Sequence, residues 1–124
     1  MLTCRLTRAL SRFLVGLVVL GAATFATAAT AELKVALLTP GPVSDDGWNA
    51  SAYEGLELIK EELGAQVAHR ESRNQGEFRQ DFRDYARRGY NLIFAHGYEF
   101  STHARDIAAT FPNTYFVTTG GEPE

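Results

Sequence analysis

The sequence has 124 residues, with 12 basic and 15 acidic side chains for a formal charge of −3, and one cysteine, Cys4. That is enough chain for a single small domain, and its acidic balance disfavours a nucleic acid or an anionic membrane surface as partner. With the only thiol so close to the N-terminus, the rest of the chain has no disulfide, thiolate metal ligand or cysteine nucleophile to offer.

At the start, Arg5, Arg8 and Arg12 precede an apolar run from Phe13 to Leu20 and a small-residue tail ending at Ala31. This is the form of a secretory signal peptide, and the run is shorter than the roughly 20 apolar residues an uncleaved membrane anchor needs. Ala26-Thr27-Ala28 and Ala29-Thr30-Ala31 both satisfy the small-x-small cleavage rule. Cleavage is expected at the second, giving a signal peptide over 1–31 and a mature N-terminus at Glu32. A lipid-modified cysteine would stand just after the apolar run, where the chain reads Gly21-Ala-Ala-Thr, so the exported form is not expected to be membrane-anchored. Residues 32–124 carry nine basic against fifteen acidic side chains, a formal charge of −6.

Leu33 to Leu38 is a short β-compatible run stopped by Pro40, Gly41 and Pro42. A helix follows, with Ala52, Leu56, Ile59 and Leu63 on its apolar stripe and Gly64 as its stop. Ser44, Asp45, Asp46 and Asn49 are all candidate caps for its start. Ala65 to Arg70 reads as a second strand, polar enough for a sheet edge, closed by Arg73-Asn-Gln-Gly76. Phe78, Phe82, Tyr85 and Ala86 then form the buried stripe of a second helix that Gly89 ends. Tyr90 to His96 is apolar except for Asn91, as a central parallel strand covered on both faces should be. Ser101 is a candidate cap for a third helix carrying Ala104, Ile107, Ala108 and Phe111, and Tyr115 to Thr119 makes a fourth strand before Gly120-Gly121. The alternation predicts an α/β fold: one doubly wound parallel sheet, strand order 2-1-3-4, with helices on both faces.

Open α/β sheets bind ligands beyond the carboxyl ends of their strands, which directs attention to the loop and helix start after the first strand. Gly-x-Ser-x-Gly, Gly-Lys-Ser/Thr and Gly-x-Gly-x-x-Gly signatures are all missing, so no catalytic residues are assigned and no cofactor is expected. Asp45, Asp46, His96 and His103 are metal-ligand types, but their spacing matches no common zinc motif and no metal site is assigned; capping accounts for the aspartates and surface exposure for the histidines. Trp48 lies off the Ala52–Leu63 stripe. Its indole either faces the crevice or covers the end of the sheet.

Val35-Ala-Leu-Leu-Thr, Ser44-Asp-Asp-Gly-Trp-Asn-Ala-Ser-Ala-Tyr-Glu-Gly-Leu56, Gly89-Tyr-Asn-Leu-Ile-Phe-Ala-His-Gly97 and Phe111-Pro-Asn-Thr-Tyr-Phe-Val117 occur in that order. Together they resemble the basic membrane protein (BMP, PnrA-like) family of ABC transporter substrate-binding proteins, from Lys34 to Gly121. The resemblance implies the fold of a type I periplasmic binding protein: two α/β lobes that close on a small-molecule solute and deliver it to an ABC transporter permease, without enzymatic activity. It also implies that residues 32–124 are the N-terminal lobe alone, with the second lobe absent. Position by position, it places Trp48 as the aromatic that stacks on a purine-like base and Asn49 as a polar ligand contact. Asp45 matches a family aspartate read here as a helix cap. Gly97 and Tyr98 fall in a loop facing the cleft. Thr39 and Gly120 stand where nucleoside binders of the family place aspartates, which leaves open whether the ligand is a purine nucleoside, a nucleobase or another flat heterocycle. The expected location is the periplasm. The alternatives are a sugar or amino-acid binder of the same fold and, from a different class, a small α/β enzyme or signalling domain.

Overall fold

The computed structural model describes residues 32–44 and 46–120. The signal peptide over 1–31, the Asp45 cap and Gly121 lie outside the described residues. Strands β1 (Lys34–Thr39), β2 (Gln66–Glu71), β3 (Leu92–His96) and β4 (Tyr115–Thr119) alternate with helices α1 (Trp48–Leu63), α2 (Gln75–Arg87) and α3 (Ser101–Ala108). The strands form one parallel sheet in the order β2-β1-β3-β4, the doubly wound arrangement that the alternation predicts.

Right-handed crossovers decide which face each helix takes. The step from β1 to β2 runs one way along the sheet, whereas β2 to β3 and β3 to β4 run the other way. Accordingly α1 packs on one face through Leu56 with Ala52, Tyr53 and Ile59, against Val35 and Leu37. Helices α2 and α3 share the other face, where Phe78, Phe82, Tyr85, Phe100, Ala104 and Ile107 pack on Ala36, Leu38, Ile93 and Ala95. Phe100 is the centre of that layer: its ring lies 4.2 Å from Phe78 and 6.2 Å, edge-on, from Phe82.

Several local expectations are corrected. Strand β3 begins at Leu92, two residues later than the apolar run, because Tyr90 is drawn into the end of α2. Its N–H donates to the Tyr85 carbonyl, and its ring packs edge-on against Tyr85 at 4.8 Å. Asn91 supplies the amino-end register: its side-chain oxygen accepts from the Lys34 N–H at 2.8 Å, and its carbonyl accepts from the Tyr115 N–H. Strand β2 runs from Gln66 to Glu71, one residue later than expected. Leu63, on the last turn of α1 where the chain turns back through Gly64, is 65 % exposed and does not belong to the core stripe. Gly64 itself is the left-handed C-cap, φ 63°, that its position called for.

The helix starts differ as well. Gly47 takes the N-cap position of α1, so Ser44, Asp46 and Asn49 do not. Asn74 caps α2, accepting from the Gly76 and Glu77 N–H groups, within the stretch read only as a strand-closing turn. Ser101 is the first helical residue of α3 and not its side-chain cap, because a 3-10 turn over Tyr98–Phe100 leads directly into the helix. Phe111 lies past the end of α3 yet still packs on the α2/α3 core.

Candidate functional site

The carboxyl ends of β1, β3 and β4 lie side by side in a parallel sheet, so the segments that leave them converge on one edge. Trp48 opens α1 there, His96 ends β3, Gly97 and Tyr98 begin the following turn, and Gly120 follows β4.

Trp48 and His96 are stacked, with ring centroids 3.6 Å apart and planes inclined by 32°. The indole is nevertheless 52 % exposed. It covers the end of β3 with one side while leaving much of its surface open. Tyr98, two residues after His96, is 73 % exposed. A flat solute could stack on such aromatics, at about 1–3 kcal/mol per contact.

Gly97 is buried and takes φ 149°, a conformation that L side chains rarely adopt, and a Cβ there would also meet the Glu99 carboxylate. This turn swings the chain from β3 into the Tyr98–Phe100 turn and puts Phe100 in the core while Tyr98 stays outside. Gly120 has φ 76°, and a Cβ built on it would lie 3.9 Å from the Tyr98 backbone nitrogen. The β3 and β4 exits are thus close neighbours.

Thr39 and Asn49 occupy the interior of the site's floor. Thr39 is fully buried, and its hydroxyl donates to the Gly41 carbonyl at 2.7 Å. Having spent its one proton, that hydroxyl accepts from His69 Nε2 at 2.9 Å, which sets the His69 tautomer. Asn49 is also buried, with its side-chain nitrogen 3.2 Å from where a Cβ on Gly41 would stand, so it lies under the β1–α1 loop.

Of the two histidines expected at the surface, His103 is buried and His96 is half-buried. His103 is only 7 % exposed, on α3 beside Phe78, with its Nδ1 buried and without a hydrogen-bond partner. His96 is the site residue that the sequence reading missed. The signal available was a polar residue closing an apolar strand directly before a glycine, and its partners Trp48 and Thr119 are remote in sequence.

Two hollows lie near these elements. One, about 380 Å³, is lined by Arg70, Glu71, Arg73, Glu77, Gln80 and Asp81 at the β2–α2 junction. Its charged groups are already committed to one another: Asp81 accepts from Arg70 at 2.6 Å and from Ser72 at 2.5 Å, and Glu71 accepts from Arg73 at 2.8 Å. The other, also about 380 Å³, is an apolar groove between α1 and β3 that includes Ala52, Ile59 and Phe94 and reaches His96 and Thr119 at its upper end. Among the described residues, no group of three or more histidine, cysteine, aspartate or glutamate side chains is arranged to hold a metal ion.

Residues 32–121 match the Bmp family, described as ABC transporter substrate-binding protein PnrA-like. Basic membrane protein A1 of Borrelia garinii subsp. bavariensis is 32% identical over 84 residues, which cover 68% of this chain and 25% of that protein. The transcriptional activator protein med of Bacillus subtilis is 27% identical over 85 residues, covering 68% of this chain and 27% of that one. The chain thus spans about a quarter of the length of the curated relatives it matches. Among solved structures, an ABC transporter system solute-binding protein from Conexibacter woesei superposes with a TM-score of 0.64 at 32% identity, covering 68% of this chain and 28% of that one. A transcriptional activator of the comK gene from Bacillus halodurans gives a TM-score of 0.64 at 34% identity, covering 73% and 31%.

Proposed function

The chain belongs to the PnrA-like family of ABC transporter substrate-binding proteins, and from that premise we propose that it is the first lobe of a periplasmic solute-binding protein for a purine nucleoside, nucleobase or similar flat heterocycle. In this reading the leader over 1–31 directs export, the solute is held between this lobe and a second one, and an ABC transporter permease receives it. The protein binds and releases its solute unchanged.

One observation carries the ligand class: a half-exposed indole seated on an imidazole at the carboxyl edge of the sheet, the edge from which exposed Tyr98 and two glycine turns also leave. Planar aromatic surface recognises planar ligands, while the glycine turns let backbone approach closely. Trp48 is the stacking residue, Tyr98 the second aromatic, and Gly97 and Gly120 supply backbone contacts. Thr39 and Asn49, buried beneath, hold the β1–α1 loop in shape and contribute to the ligand only through that loop. A glycine at position 120 and a buried, internally bonded Thr39 leave no carboxylate at either strand end to take ribose hydroxyls. This argues for a nucleobase over a nucleoside.

The relatives named as transcriptional activators support a second reading, in which the same lobe senses a solute and the output is gene activation. The negative charge of residues 32–124 then assigns any DNA contact to another part of such a protein. Thermal-shift measurements on the full-length protein with nucleobases, nucleosides, sugars and amino acids test the ligand class. Stabilisation by adenine, greater than by adenosine and with the solute recovered intact, is expected. Stabilisation by sugars or amino acids alone, or conversion of the solute, overturns it.

A further inference from the structure

His96 joins three elements that are distant in sequence. Its Nε2 lies 3.0 Å from the carbonyl oxygen of Trp48, the first residue of α1, and its Nδ1 lies 3.0 Å from Oγ1 of Thr119, the last residue of β4. A carbonyl only accepts, so Nε2 carries a proton. In the neutral ring Nδ1 is then bare, and the Thr119 hydroxyl donates to it. When the ring is protonated, Nδ1 donates and the hydroxyl turns to accept. Both bonds survive in either charge state, which suits the imidazole to a permanent structural seat. The Trp48 ring rests on that seat at 3.6 Å while remaining half open.

We infer that His96 is the positioning residue of this site: through its bonds to Trp48 and Thr119 it holds the indole as a one-sided platform, so that a flat solute stacks on the face the imidazole does not cover. The inference rests on the ligand reading above for its use, but its geometry is tested without any solute.

Trp48 is the only tryptophan among the 124 residues, and the other histidines are His69 and His103. Indole emission from this chain therefore reports on Trp48 alone. Steady-state anisotropy of that emission is expected to be high in the unmodified chain, where the indole is held. In His96→Gln it should stay high, since the amide still offers a donor to the Trp48 carbonyl. In His96→Ala it should drop, with a urea midpoint showing that the protein remains folded. Unchanged anisotropy in His96→Ala, or an equal drop in His96→Gln, overturns the inference. Adenine binding by the full-length protein is read separately. With the optical results as expected, a failure of the unmodified protein to bind adenine counts against the ligand class and not against the positioning role.

Discussion

His69 shows how much of the site's floor depends on one side chain. It donates to the hydroxyl of buried Thr39, stands edge-on to Tyr53 at 5.4 Å, and has its pKa lowered by burial, an effect that Glu71 partly opposes. The unfolded chain therefore takes up the proton at a higher pH than the folded one. The resulting stabilisation is complete above the unfolded value of about 6.5 and is lost as pH falls through the lower, folded value. The urea midpoint should accordingly decline as the solution is acidified below about pH 6.5. That part of the decline should disappear in His69→Gln, which keeps a donor for Thr39. Equal acid sensitivity in the two proteins would show that His69 does not supply it. None of this was legible from the sequence, where Thr39 and His69 are 30 positions apart and only the sheet register makes them neighbours.

At the scale of elements, alternation of apolar runs and amphipathic stripes was sufficient to read the strands, the helices and the 2-1-3-4 order, because crossover handedness and a polar edge strand leave few alternatives. What escaped was decided by contacts across elements. Asn91 looked like a blemish in an apolar strand and is its register pin; Leu63 continued the α1 stripe but lies at the helix end, exposed. The β2–α2 junction makes this point quantitatively. Asp81 is 3 % exposed and is held by Ser72 and by the half-exposed Arg70. A surface ion pair contributes about 0–1 kcal/mol, but Arg70→Ala would leave a buried carboxylate with a single neutral donor. The expected cost is about 3 kcal/mol, read as a fall in urea stability. A loss below about 1 kcal/mol would mean that the pair behaves as a surface pair. On the opposite face, α1 covers β1 and β2, while Tyr115 and Val117 of β4 remain exposed and Phe94 of β3 lines an open groove. A parallel sheet normally has both faces covered, so this apolar strip is the least complete part of the fold among the described residues.

For the whole molecule, the chain belongs to the PnrA-like family, folds as one parallel sheet with helices on both faces, and spans about a quarter of the length of its curated relatives. The small-residue tail before Glu32 makes a separate prediction: N-terminal sequencing of the exported protein should begin at Glu32, or at Ala29 if the first cleavage site is used. Retention of Met1 on exported protein would refute the leader. The central claim, that Trp48 at the carboxyl edge of the sheet stacks on a flat solute, is tested most directly by calorimetry of adenine binding to full-length protein and its Trp48→Ala variant. The account predicts a loss of about 1–3 kcal/mol, roughly five- to hundredfold in affinity, with a much smaller loss in Trp48→Phe and little change in the stability of the solute-free protein. Unchanged affinity in Trp48→Ala, or an unfolded variant revealing the indole as a core residue, would contradict it.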